Sequence, residues 1–180
     1  MADANAPSTA RGAGVSLVET PLALSMLRVR APDDGSIAAL GAAFGMSWPA
    51  APNLIAGDSP RVACLAPGEW AIFAAGAPVA EKIAGACGNR LHHVADVSAG
   101  LRLWRIAGPH AATMIAKGCS LDLHPRVLGP GRCAQTLLAQ VPVVLIPEEG
   151  GQAFEIVADA SLAGHLRAWF ADAGWEYVTD

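Results

Sequence analysis

The feature that most constrains the fold is the alternation of strand and helix patterns along the whole chain. Leu22–Arg30 alternates apolar and polar residues towards its end, as half-buried strands do, and Leu101–Ala107 alternates with one irregularity at Trp104. Ile37–Phe44 and Ser161–Ala173 instead repeat apolar residues at the spacing of one helical face. Strand patterns are followed by helix patterns more than once, and the βαββαβ order described next has an antiparallel sheet, so we predict an α+β chain.

The same order of elements occurs in each half of the sequence. It is βαββαβ over residues 19–98, and a similar order follows over residues 99–180. Arg61–Ala66 and Trp70–Ala74 flank a Pro-Gly-Glu turn and are predicted to form a hairpin, and Trp175–Val178 is predicted as the last edge strand. We therefore predict two tandem ferredoxin-like, split βαβ halves that pack as one unit.

The first 18 residues carry neither pattern. Met1–Ser16 is small and polar and lacks the apolar run of a secretory signal peptide. We expect residues 1–18 to be a disordered segment outside the fold. The longest uncharged stretch, Gly35–Gly57, is broken by Pro49 and Pro52, so no membrane span is expected.

The charge balance argues against two classes of partner. The 180 residues include 12 basic and 16 acidic side chains, for a net charge of -4. Such a chain lacks the basic footprint of a nucleic-acid-binding protein and the polybasic patch of a membrane-surface protein. Its four cysteines form no Cys-x-x-Cys pair, which favours reduced thiols and a cytoplasmic location.

Two groups of possible metal ligands occur in the sequence. His92 and His93 are adjacent, so on one strand they point to opposite faces and do not share a site. The second group consists of Cys119, Asp122, His124 and Cys133. It lacks the closely paired ligands that zinc sites normally show, so a zinc protein is kept only as an alternative. No phosphate-binding loop or nucleophile elbow is found in the sequence.

Five short motifs lie, in order, between residues 60 and 172. They are Leu65–Trp70, His93–Gly100, Ile106–Ala111, Lys117–Pro125 and Gly131–Thr136. Together they resemble the gamma subunit family of heterotetrameric sarcosine oxidase. The Asp-Val-Ser and Gly-x-x-Ala patterns are also distantly similar to the folate-binding domain of the glycine-cleavage aminomethyltransferase. The motif residues are Asp96, Val97, Ser98, Gly108, Gly118, Asp122, His124, Gly131, Arg132 and Thr136.

The resemblance implies a function that belongs to a complex. The family supplies the gamma subunit of a cytoplasmic oxidase that also has alpha, beta and delta subunits. That complex demethylates sarcosine to glycine, yields hydrogen peroxide and passes the one-carbon unit to tetrahydrofolate. The resemblance places FAD, FMN, NAD and tetrahydrofolate on the larger subunits, so we expect an accessory chain without catalytic, cofactor-binding or metal-binding residues.

A comparison with the aminomethyltransferase family leads to the same expectation. That family carries its working carboxylate just after a hairpin, and the comparable stretch here is Gln140–Val144, which contains no carboxylate. We therefore expect this chain to keep the aminomethyltransferase fold but not its catalytic chemistry, and to contact partner subunits instead. Arginines are suited to such contacts because each offers five fixed donors. The candidates are Arg102, Arg105, Arg126 and Arg132.

The alternative is a stand-alone folate-binding or aminomethyltransferase-like protein. It requires a pocket between the two halves and a substitute base, for which Asp96 and Glu155 are the candidates.

Overall fold

The computed structural model describes residues 8–11, 14–21, 25–31, 34–74 and 78–177. In this part the chain is an α+β protein with two antiparallel sheets. It divides into two compact units, one formed by residues 1–21 together with 100–180 and the other by residues 22–99.

The strands are β1 (Ser8–Arg11), β2 (Ser16–Pro21), β3 (Ser25–Arg30), β4 (Ile55–Ala56), β5 (Arg61–Ala66), β6 (Glu69–Ala74), β7 (His93–Asp96), β8 (Leu101–Ala107), β9 (Ala134–Leu138), β10 (Val141–Pro147) and β11 (Ala153–Asp159). The helices are α1 (Asp34–Phe44), α2 (Pro78–Cys87), α3 (Ala111–Ala116) and α4 (Ala163–Ala173).

The unit formed by residues 22–99 contains a five-stranded sheet. Its strand order is β4-β5-β6-β3-β7, and every neighbouring pair is antiparallel. The predicted hairpin is present as β5 and β6, with Gly68 at a φ of 70° in the turn, a conformation that glycine adopts without strain. Leu40 of α1 and Ile83 of α2 are fully buried in one core with Trp70 and Ile72 of β6. The two helices therefore cover this sheet.

The unit formed by residues 1–21 and 100–180 contains a six-stranded sheet. Its order is β1-β2-β8-β11-β10-β9, again antiparallel throughout. Trp104 and Ile106 of β8 are fully buried and share a core with Met114 of α3 and Phe170 of α4. Arg105, which lies between them in sequence, is exposed. The predicted strand is therefore present, but Trp104 is no irregularity: it shares the buried face with Ile106 in a regular two-residue alternation.

The N-terminal segment differs from the expectation. β1 lies within residues 1–18 and β2 begins there, and β2 pairs with β8 from Ser16 opposite Ala107 to Pro21 opposite Arg102. The expected disorder is therefore wrong for residues 8–11 and 14–18, whereas residues 1–7 and 12–13 lie outside the described part. The pairing partner is 91 residues away in sequence, as the Ser16–Ala107 hydrogen bond shows, so no local pattern predicts it.

The predicted edge strand Trp175–Val178 is also wrong. Trp175–Tyr177 forms a 3-10 turn, Val178 lies outside the described residues, and β2 occupies the position beside β8. The packing of the two halves as one unit stays a prediction. No helix in the described ranges is long and apolar enough to cross a membrane.

Candidate functional site

A groove lies in the unit that contains residues 100–180, where the end of α3 meets the β9–β10 turn and one side of α4. Its volume is about 630 Å³. We call it the α3–α4 groove. It is lined by Ala116, Lys117, Gly118, Cys119, Ser120, Leu137, Ala139, Gln140, His165 and Trp169.

The β9–β10 turn forms one wall of the groove. It consists of Ala139 and Gln140, which have φ values of 49° and 68°. A type I′ two-residue hairpin turn needs this left-handed conformation at both positions, and residues other than glycine adopt it at a cost of roughly 1 kcal/mol each. The Ala139 N–H donates to the Gly118 carbonyl at 2.9 Å, and His165 Nε2 donates to the Ala139 carbonyl at 2.9 Å. The turn is therefore held by groups from α4 and from the end of α3.

The floor of the groove is closely packed at Gly118. A Cβ atom added there would lie 2.5 Å from Cζ2 of Trp169 and 3.1 Å from the backbone nitrogen of Ala139. Trp169 is itself in edge contact with the buried ring of Phe170, at 5.3 Å between centroids. Only glycine fits between the turn and the indole without displacing one of them.

Lys117 lies at one end of the groove, and its ammonium group bonds to other residues of this chain. Its Nζ donates to the carbonyl of Ala173 at 2.6 Å and to Oε1 of Glu176 at 2.5 Å, and it lies 4.7 Å from the centre of the Tyr177 ring. The hydrogen bond with Glu176 raises the pKa of Lys117 and lowers that of Glu176. Lys117 therefore stabilises the C-terminal end of α4, where backbone carbonyls lack helical partners.

The groove contains no proton-accepting carboxylate among the described residues that line it. Gln140 lies in the turn and is followed by Val141 of β10, so the stretch Gln140–Val144 places no acid here. The Cys119 thiol is buried and lies 3.7 Å from Oγ1 of Thr136. The described lining residues therefore include no carboxylate of the kind that hydrogen-bonds the folate amine in the aminomethyltransferase family.

The proposed substitute bases lie elsewhere. Asp96 ends β7, in the unit formed by residues 22–99, and Glu155 is on β11 opposite Arg105. Neither of them lines the α3–α4 groove.

The Asp96-Val97-Ser98 motif forms a local turn. Oδ1 of Asp96 accepts hydrogen bonds from the Ser98 hydroxyl and, at 2.9 Å, from the Ser98 N–H. These two bonds hold the pKa of Asp96 below its ordinary value, and the carboxylate is exposed. Such an Asx turn explains why this motif needs a short acid followed by a hydroxyl residue.

The Asp122-x-His124 motif is also locally bonded. Oδ1 of Asp122 accepts from the His124 N–H at 2.9 Å, and Nδ1 of His124 accepts from the Arg126 N–H at 3.2 Å. Within the described ranges, no three His, Cys, Asp or Glu side chains are grouped as metal ligands. The set of Cys119, Asp122, His124 and Cys133 therefore does not form a metal site there.

The motif glycines mark places where the backbone needs space or a left-handed conformation. Gly108 has a φ of 131°, and a Cβ there would lie 2.4 Å from the carbonyl oxygen of Gly14. Gly108 thus lets the segment before β2 approach the end of β8 closely. Gly131 has a φ of 77° and precedes Arg132, which is exposed.

The four candidate arginines differ in their surroundings. Arg105 makes two hydrogen bonds with Glu148, at 2.6 and 2.7 Å, and Nη1 of Arg102 donates to the Leu101 carbonyl. Arg126 and Arg132 are exposed, and no guanidinium partner is found for either in the part of the chain that the structure describes. His165 and Trp169 were not among the predicted site residues, although their spacing of four residues places both on one face of α4.

Comparisons with known proteins agree on one family. A model of the sarcosine oxidase gamma subunit family matches residues 28–176. The sarcosine oxidase subunit gamma of Corynebacterium sp. (strain P-1) is 34% identical, over 100% of this chain and 89% of that protein. The heterotetrameric sarcosine oxidase of Corynebacterium sp. U-96, solved in complex with pyrrole 2-carboxylate, contains a chain that is 35% identical. Its TM-score is 0.83, with 95% of this chain and 89% of that one covered.

A more distant similarity concerns the fold alone. The glycine cleavage system aminomethyltransferase T of Bartonella henselae is 17% identical with a TM-score of 0.66, over 93% of this chain and 48% of that one. The two sheets and their helices thus form an aminomethyltransferase-like fold. From the matched residues and the extent of the identity, the chain belongs to the sarcosine oxidase gamma subunit family.

Proposed function

We propose that this chain is the non-catalytic gamma subunit of a heterotetrameric sarcosine oxidase, assembled with alpha, beta and delta subunits in the cytoplasm. The complex demethylates sarcosine to glycine, produces hydrogen peroxide and transfers the one-carbon unit to tetrahydrofolate. FAD, FMN, NAD and tetrahydrofolate bind to the larger subunits. The role of this chain is to bind and stabilise them, because a partner that binds only the folded state adds to its stability.

The main support for a non-catalytic role is the set of residues that line the α3–α4 groove. No carboxylate lines it in the described part of the chain, and its two basic side chains bond within the chain. Lys117 is bonded to Glu176, and His165 is bonded to the backbone of the β9–β10 turn. A groove with these contacts favours a structural role for the chain over acid–base catalysis.

Arg126 and Arg132 are the arginines best placed to contact a partner. Both are exposed on the segment between α3 and β9, whereas Arg102 and Arg105 donate to groups of their own unit. Two guanidinium groups on this segment favour carboxylates on the partner surface.

The strand orders support ferredoxin-like halves. In the unit of residues 22–99, β3, α1, β5, β6, α2 and β7 follow the βαββαβ order, and β4 adds a short edge strand. In the other unit, β8, α3, β10, β11 and α4 follow the same order. There the fourth strand is β2, which precedes the others in the chain.

Co-purification tests the proposed function. A tagged copy of the chain, expressed in its own cell, should bring down two larger flavin- and nucleotide-binding chains and a small fourth chain. The isolated chain should not oxidise sarcosine. A tagged chain that purifies alone at native expression, or that turns over sarcosine by itself, would contradict the proposal.

Calorimetry with tetrahydrofolate on the purified chain distinguishes the accessory role from the stand-alone folate-binding alternative. Clear binding of tetrahydrofolate to the chain alone would favour the alternative.

A further inference from the structure

Trp175 is the most exposed large apolar side chain in the described residues. Its exposed fraction is 82%, compared with 77% for Leu91 and about half for Val127 and Leu137. It begins the 3-10 turn that follows α4, and it lies within the region matched by the family model. An exposed indole of this size is uncommon on a protein surface and is typical of a contact with another molecule.

The turn that carries Trp175 is fixed on both sides of the residue. The Gly174 N–H donates to the Phe170 carbonyl at 2.9 Å, and the Tyr177 N–H donates to the Gly174 carbonyl at 2.9 Å. The Tyr177 ring stacks on His110, with centroids 4.8 Å apart and an angle of 11° between the planes. The bond from Lys117 to Glu176 adds a further link to α3.

Trp175 itself takes no part in this network. No ring contact, hydrogen bond or ion pair of its side chain is found in the part of the chain that the structure describes. The backbone position is therefore set by the neighbours while the indole is left to solvent. Because the turn is already ordered, burying the indole against a partner costs little additional conformational entropy.

The charge around the turn indicates what kind of surface fits it. α4 has no basic residue in its last turn, and its carbonyl end carries partial negative charge. Asp172 is exposed three residues before Trp175, and Glu176 follows it. Lys117 offsets part of this charge by donating to Ala173 and Glu176. An apolar pocket with an arginine or lysine at its rim complements both the indole face and the Asp172 carboxylate.

We propose that Trp175, assisted by Asp172, is the anchor by which this chain docks into a basic-rimmed apolar pocket on a larger subunit of the sarcosine oxidase heterotetramer. This inference rests on the proposed function. Interface energy is concentrated in a few central residues, among which tryptophan is enriched, so one side chain can decide the affinity.

The test measures assembly of the full complex. Trp175→Ala should weaken the affinity for the other three subunits roughly 100-fold, whereas Trp175→Phe, which keeps an aromatic ring, should lose about tenfold. Asp172→Asn should lose about threefold and reduce the dependence of binding on salt. Leu91→Ala, which removes another highly exposed side chain in the other unit, is the matched control and should bind within about twofold of wild type.

A measurement on the wild-type chain makes the test independent of how the variants fold. Hydroxyl-radical labelling of Trp175 should fall about fivefold or more in the complex, because burial removes the indole from solvent. Equal labelling in the free chain and the complex, or wild-type affinity for Trp175→Ala, would overturn the anchor while leaving the proposed function intact. Failure of the wild-type chain to assemble would overturn both.

Discussion

At the scale of single residues, the motifs of this chain act mainly on its own backbone. Asp96 closes a turn with Ser98, and Asp122 closes another with His124. Gly118 leaves space for Trp169. Each of these residue types is needed for a local geometric reason, and none of the described contacts assigns it a reaction.

The Ser98 hydroxyl should control the titration of Asp96. Removing it in Ser98→Ala should raise the pKa of Asp96 towards its ordinary value of 3.8. Because the folded-state pKa is depressed, the stabilisation is present above the unfolded pKa and is lost as pH falls through the folded pKa. The stability difference between wild type and variant should therefore shrink in acid. Carboxyl NMR titration checks the shift, with Asp159, which is bonded in the same way to Ser161, as an unchanged internal control.

Gly118 should not tolerate a methyl group. Gly118→Ala places a Cβ 2.5 Å from the Trp169 ring, and the displacement of the ring should lower the free energy of unfolding by about 2 kcal/mol. Gly164→Ala is the matched control, because no atom lies within 4 Å of its added Cβ. In α4 it should raise the free energy of unfolding by about 0.5 kcal/mol, since alanine favours helix. If urea unfolding gave equal changes in the free energy of unfolding for the two variants, the close contact at Gly118 would be refuted.

At the scale of elements, β2 and α4 are joined by an ion pair. Glu19 of β2 is 5% exposed, and Arg167 of α4 donates to both of its carboxylate oxygens, at 2.6 and 2.7 Å. The side chain of Arg167 is half-exposed. The pair fixes which face of β2 meets the helix, because shifting β2 by one residue would turn Glu19 to the other side of the sheet.

Breaking this pair should destabilise the unit more than breaking a surface pair. Arg167→Ala leaves a buried carboxylate without its donors and should lower the free energy of unfolding by about 2 kcal/mol. Arg105→Ala breaks the more exposed pair with Glu148 and should cost about 0.5 kcal/mol. Adding Glu19→Gln to Arg167→Ala should recover part of the loss, because the buried charge is removed. A loss no greater than that of Arg105→Ala would contradict the role of the pair.

Elements with a strong local pattern were predictable from the sequence. Leu101–Ala107 is the strand that its alternation predicts, and the helix predicted over Ser161–Ala173 is present as α4 after a short 3-10 turn. β2 was not predictable, because its partner β8 lies far along the chain. Trp175–Val178 is predicted as an edge strand, but contacts with His110 and Lys117 hold Trp175–Tyr177 as a turn. Tertiary contacts decided both cases.

At the scale of the whole molecule, one unit is built from two separate stretches of chain. Residues 1–21 and 100–180 form it together, and residues 22–99 form the other. The absence of a carboxylate in Gln140–Val144 was predictable from the sequence, but the groove beside it was not. The groove depends on how α3, α4 and the β9–β10 turn pack, and no short motif encodes that arrangement.

Deleting residues 1–21 should weaken one unit selectively. The deletion removes β2, which pairs with β8 along its length, together with Glu19. Backbone amides of β8 should then exchange with deuterium markedly faster, because the strand loses its neighbour. Amides of β6, in the unit of residues 22–99, should exchange as in the full chain. Unchanged protection of β8 in hydrogen-exchange mass spectrometry would contradict this assignment of β2.

The early position of β2 also affects how the protein is made. On the ribosome, β1 and β2 emerge early and can pair with each other, but the other edge of β2 cannot pair until β8 has left the exit tunnel, and residues 22–99 leave the tunnel before it. The nascent chain therefore carries an unpaired edge of β2 while the intervening unit folds. A slowly translated message would prolong that interval and expose the strand to chaperones or to neighbouring nascent chains.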